Sequence, residues 1–342
     1  MNTAIEKALQ EEFPDSTETE CYRFWTAAEA AYGKSNWKSK AEKNRLIQKA
    51  ARQNLEGFLE WRSLYGLDYD RPAKDAGDSI IWEWAAQKAL FAQEARKRDN
   101  SDSVTPPKNA TTTKSPVDSE SNIDDVVNGE DGDGKKEKGE SNTTSCDDNQ
   151  NNTCTRSKVV DKKTLPQLIY RRRDPTTGKY IQDKKGVDMV HVLAARIDRH
   201  AADNKTWAMA VAFYIDFHND RNSKLTYCLY VDAREGEGWA NPRLIMVVSL
   251  IGAIVSEIEN RHPGRCQTLI IFPLPYTLTK IWGSVKGYFS AEMNKMMTVC
   301  SGPSKVDSPA PKDQLQKFVD PNVIDLFEKC RTDLFIPTPE EK

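Results

Sequence analysis

At 342 residues the chain has room for one large domain and a smaller one, and it can bury a sizeable core. A net charge of −2 excludes any global electrostatic attraction to nucleic acid or to an acidic membrane. Seven cysteines, an odd count without a Cys-x-x-Cys pair, argue against a disulfide framework or structural zinc and fit a reducing, cytoplasmic setting.

The first residues, MNTAIEKALQEEF, lack a basic region followed by an apolar one, so no signal peptide is expected. Residues 17–98 read as a helical segment. Ile47, Ala51, Leu55, Phe58, Leu59 and Arg62 fall on one helical face, and Gly66 follows as a stop. A second helix is expected from Ser79, as N-cap, through IIWEWAAQKALFAQEARKR, with a basic last turn that suits the helix dipole.

From 99 to 163 the chain is polar, rich in Asn, Ser, Thr and Asp, and nearly free of large apolar side chains. Such a segment buries too little surface to offset chain entropy, so a disordered insert is expected. Ser115-Pro116 within it reads as a phosphosite or as an ordinary dipeptide of such segments, and a protein partner could engage the insert.

From 164 to 336 strand and helix patterns alternate, which implies a mostly parallel sheet flanked by helices, an α/β fold. Residues 187–193 and 226–231 read as strands. Residues 206–218 read as a helix with Trp207, Val211, Tyr214 and Ile215 on one face. The run 242–260 reads as an apolar helix with Pro242 in its first turn. Its longest uncharged stretch, 244–256, falls short of the roughly 20 residues of a membrane span. TLIIF, 268–272, is a buried strand ended by Pro273 and Pro275. A helical stripe follows, with Leu278, Ile281, Trp282, Val285, Tyr288 and Phe289 at spacings of three and four, extended by Met293, Met296 and Met297. Periodicity alone fits an ordinary core helix as well as a lid over an apolar ligand.

Signals for chemistry are sparse. Asp232 at a strand end, followed by Gly236 and Gly238, resembles part of a dinucleotide loop, but Asn241 and Pro242 stand where the pattern needs glycine and a helix. Cys228 and Arg234 match a phosphatase-like Cys-x5-Arg spacing without a glycine-rich cradle, so Cys228 reads as a core thiol. His191, His200, His218 and His262 never take metal-ligand spacing, and no metal or other cofactor is expected. The run Arg171-Arg172-Arg173 reads as a solvated loop or as a contact for anionic headgroups.

Several motifs in order resemble the CRAL-TRIO lipid-transfer family, phosphatidylinositol-transfer proteins included. Where members carry a Tyr-Pro-Glu-Arg-like turn, this chain has His262-Pro263-Gly264-Arg265. Ile271-Phe272-Pro273-Leu274-Pro275 stands for the Asn-Ala-Pro-like corner, and Lys286-Gly287-Tyr288-Phe289 for the Lys-Pro-Phe-Leu-like motif of the gate helix. Tyr22-Arg23-Phe24-Trp25 and Leu59-Glu60-Trp61-Arg62 are similar to the helical segment that precedes this domain.

The resemblance implies an apolar pocket lined by Ile270 and Phe272 and closed by a gate of Ile281, Trp282, Val285, Tyr288, Phe289, Met293 and Met296. It places headgroup contacts at Lys295 and Arg265, with Gly264 replacing the acid that phosphatidylinositol-binding members use. The expected function is non-enzymatic: a cytoplasmic protein, transiently membrane-associated, that exchanges one phospholipid or other hydrophobic ligand with membranes. A scaffold or lipid-sensing module is the alternative, and a nucleotide-dependent enzyme the third reading.

Overall fold

The computed structural model describes residues 3–32, 39–102, 164–277 and 291–335. The expected insert lies outside them, apart from its first residues, which continue a helix. So do Ile281, Trp282, Val285, Tyr288 and Phe289 of the expected gate.

Four helices open the chain: α1 Thr3–Glu12, α2 Glu18–Tyr32, α3 Lys40–Leu64 and α4 Asp78–Asp102. The first precedes the expected start of the helical segment. Ser39 caps α3 by accepting from the Glu42 N–H at 3.1 Å. The expected stripe is borne out by buried Ile47, Ala51, Leu55, Phe58 and Arg62, and Gly66 ends the region in the left-handed conformation at φ 59°. Ser79 does not cap α4, because that helix already starts at Asp78.

The sheet has strands β1 Ile169–Tyr170, β2 Asp188–Leu193, β3 Tyr227–Asp232, β4 Cys266–Leu274 and β5 Met297–Ser301, lying side by side in chain order. β1 is antiparallel to β2, and the other pairs are parallel. Helices α5 Asn204–His218 and α6 Leu244–Arg261 make the first two crossovers. Sequential parallel order with right-handed crossovers puts such helices on one face. Strand parity follows. Val190, Val192, Leu229, Val231, Leu269 and Ile271 join one core with α5, α6 and the N-terminal helices. Met189, Cys228, Tyr230, Ile270, Phe272 and Cys300 form a second core with two C-terminal helices, α8 Lys312–Leu315 and α9 Pro321–Thr332. α7, Ala291–Met296, precedes β5.

Three expectations are corrected. Residues 206–216 of α5 are buried all round, not on one face, because the N-terminal helices form a further layer above it. Trp61 stacks on Phe213 at 5.1 Å and Trp82 on Trp207 at 6.2 Å. Pro273 does not end β4; the strand runs to Leu274, and the ladder is irregular between Ile271 and Leu274, so the missing N–H leaves no gap. Pro242 lies outside α6, whose N-cap is Arg243.

Candidate functional site

The crossover from β4 to β5 joins parallel neighbours, with Leu269 opposite Met297 and Ile271 opposite Val299. Alternation separates residues 269–272 of β4, and Leu274, beyond the irregularity, joins the core of Leu269 and Ile271. Ile270 and Phe272, both fully buried, lie on the face covered by α8 and α9, packed with Leu315, Ile324 and Phe327. Leu269 and Ile271 lie on the α5/α6 face. α6 is apolar beyond its buried stripe. Ile245 is 49% exposed, and Leu244, Met246 and Val248 are half-buried.

At the end of the crossover the helix stops one residue before the expected stripe does. Met293 sits in α7, half-buried Met296 closes it, and Met297 is already the first residue of β5. Lys295, exposed in the last turn of α7, precedes the amino end of β5. Arg265 precedes the amino end of β4. The two expected headgroup residues therefore belong to the same edge of the sheet.

Arg265 is 2% exposed. Its Nη2 donates to the Asp220 carbonyl at 2.6 Å, while Nε and Nη1 have no hydrogen-bond partner among the described residues. Burial lowers its pKa, opposed by the nearby Tyr227, Asp216 and Glu20. Burial, and then the charge of Arg265, bring Arg23 down to about 10. A cavity of about 80 Å³ adjoins Arg265 and is lined also by Tyr227, Ser223, Thr226, Asp188 and His218. The Tyr227 hydroxyl, also without a hydrogen-bond partner among the described residues, is pushed well up by burial. A desolvated guanidinium with unpaired donors beside a small void favours a buried anionic or strongly accepting group.

The carboxyl edge of the sheet is internally satisfied. Asp232 accepts from Arg234 Nε at 3.0 Å and Nη2 at 2.6 Å, and Arg234 Nη1 reaches Glu328 at 2.6 Å. The loop after it is latched by a reciprocal amide pair: Gly236 N–H donates to Asn241 Oδ1, and Asn241 Nδ2 donates to the Gly236 carbonyl, both at 2.8 Å. A side chain at Gly236 would collide with the Trp239 ring 2.0 Å away. The glycine that resembled part of a nucleotide loop is thus required by Trp239. Cys228 donates to Asp183, and burial and that carboxylate raise its pKa to about 12, the reverse of an activated nucleophile.

The sequence reading missed His191. It is 1% exposed, stacks on Phe327 at 4.3 Å, and neither ring nitrogen has a hydrogen-bond partner among the described residues. Burial, followed by Arg172, Arg234 and Arg331, holds its pKa well below the usual value. No sequence signal pointed to it, because its setting comes from register, opposite Tyr230. Among the described residues no group of His, Cys, Asp and Glu could hold a metal ion, and no helix is long and apolar enough to cross a membrane. No family model and no curated protein matches the chain.

Proposed function

We propose that the protein binds a single phospholipid or similar hydrophobe and exchanges it with membranes, the 281–296 stripe acting as the lid. The observation that carries this reading is the position of the stripe in the chain. It belongs to the crossover between two parallel neighbours, β4 and β5. By its usual right-handedness this crossover would pass over the α5/α6 face, where α6 offers exposed Ile245 and half-buried Met246.

On this reading the floor beneath the lid is Leu269 and Ile271 rather than Ile270 and Phe272, whose parity turns them to the other core. Acyl burial would supply most of the affinity, at roughly 0.8 kcal/mol per methylene. Arg265 and Lys295, on the amino edge, suit an anionic headgroup. The aromatic rings of Trp282, Tyr288 and Phe289 would enter the bilayer interface when the lid opens. The resemblance to CRAL-TRIO proteins points the same way.

The test is native mass spectrometry of the purified protein, before and after incubation with phospholipid vesicles. One bound lipid per chain is expected. A chain that carries none and takes none up contradicts the proposal.

A further inference from the structure

A second site lies away from the β4–β5 crossover. The segment 171–182 doubles back as a hairpin: Arg173 pairs with Tyr180 in an antiparallel bridge, Asp174 N–H donates to the Lys179 carbonyl at 2.8 Å, and Gly178 turns the chain at φ 68°. The Asp174 carboxylate accepts from the N–H groups of Thr176 and Thr177. This holds the three consecutive arginines in place. Arg171 and Arg173 lie over the Tyr180 ring, at 3.7 and 4.1 Å, while Arg172 lies over Tyr170 at 4.3 Å. Stacked guanidinium groups lose little further freedom on binding a ligand.

Their partners differ. Arg171 is neutralised by Asp188. Among the described residues the Arg173 side chain donates only to the Gly178 carbonyl and the Tyr180 hydroxyl. Arg172 has no ion pair among the described residues, and its Nε and Nη2 are inaccessible to water and without a hydrogen-bond partner. With Nε and Nη2 closed off, Nη1 is the amino group by which Arg172 meets the groove beside it.

Beside the hairpin lies a groove of about 560 Å³, walled by the loop before α4 and by α9. It is lined by Lys74, Arg172, Arg173 and Lys329, with Asp75, Asp78 and Asp333 as the opposing carboxylates. Asp78 is engaged by Tyr214 and Gln167. With Arg171 paired to Asp188, four cations stand against three carboxylates, which leaves the groove with a small positive excess although the whole chain is slightly acidic.

We propose that this groove binds a phosphate monoester, with Arg172 donating through Nη1 and Arg173, Lys329 and Lys74 as supporting charges. The chemistry is the same for a soluble phosphate and for the exposed phosphate of a lipid headgroup. The proposal does not depend on the lid, so either can fail alone.

The test uses the full chain. Orthophosphate and glycerol 3-phosphate are titrated calorimetrically, and flotation is measured with phosphatidylcholine vesicles containing either phosphatidic acid or phosphatidylserine. Arg172→Gln and the exposed Lys329→Gln are compared with wild type, the second guarding against a folding defect in the first. Binding of the free phosphates, weakened roughly tenfold or more by each substitution, assigns the site to a soluble ligand. Flotation on phosphatidic acid alone, lost in the same variants, assigns it to a headgroup. No binding in any arm, equal flotation on both anionic lipids, or binding that neither substitution changes overturns the proposal.

Discussion

Arg62 and Asp216, 154 residues apart in the chain, meet as a buried ion pair at 2.5 Å. Their side chains are 2% and 4% exposed. Arg62 also binds Asp68, and Asp216 also binds Arg71, so the last turns of α3 and α5 and the loop after α3 share one charge network. Above it, Trp61 stacks on Phe213. The helical segment is thereby fixed to the sheet domain by both packing and charge.

Removing one partner strands the other in a dry setting, where breaking a buried pair costs about 3–5 kcal/mol. Asp216 keeps Arg71, so Arg62→Met should cost about 3 kcal/mol, the lower end of that range. Urea denaturation checks this. The double variant with Asp216→Asn should be less destabilised than the sum of the two single changes.

Three histidines, His191, His218 and His262, have pKa values lowered chiefly by burial. In the unfolded chain they titrate near ~6.5. The unfolded state therefore binds more protons below that value, and stability rises with pH. The contribution is complete above ~6.5 and is lost as pH falls toward the depressed folded values, by up to about 1.4 kcal/mol per pH unit per histidine. Thermal melts should show the midpoint falling before carboxylates titrate. His191→Leu should flatten this slope by one proton without destabilising the protein at neutral pH, since neither ring nitrogen makes a hydrogen bond among the described residues.

Arg265 offers a test of the amino-edge cavity. Arg265→Met removes the desolvated guanidinium beside this cavity, and uptake of an anionic phospholipid should fall roughly tenfold, with zwitterionic uptake unchanged. Lys295→Ala should shift the preference in the same direction. An equal fall for both lipids in Arg265→Met would show that the arginine only supports the turn.

Much of the fold was legible because strand and helix periodicities differ. The runs around Val190, Leu229 and Ile270 read as buried strands, and their chain order gave a mostly parallel sheet. Strand ends were less legible. Pro273 reads as a terminator until the irregular ladder beside it is known. Met297 continues a helical stripe numerically yet begins β5, because apolar spacing does not reveal where the backbone turns. α9 was missed although Asp320-Pro321 is a fair helix start and Val323, Ile324 and Phe327 share a face. For the candidate site, the sequence named Arg265 and Lys295, which belong to one edge. It could not assign Ile270 and Phe272 to a face, since parity depends on which helices cover each side. That Arg172 Nε and Nη2 and both ring nitrogens of His191 lack hydrogen-bond partners among the described residues arises only in three dimensions.

The most direct test of the lid is vesicle-to-vesicle transfer of the co-purifying lipid by wild type, Phe289→Asp and Ile270→Asp. Ile270 is fully buried in the central sheet, so its substitution should unfold the protein. Phe289→Asp should abolish transfer while its melting midpoint stays within a few degrees of wild type. Transfer that survives Phe289→Asp, or unfolding as severe as that of Ile270→Asp, contradicts the account.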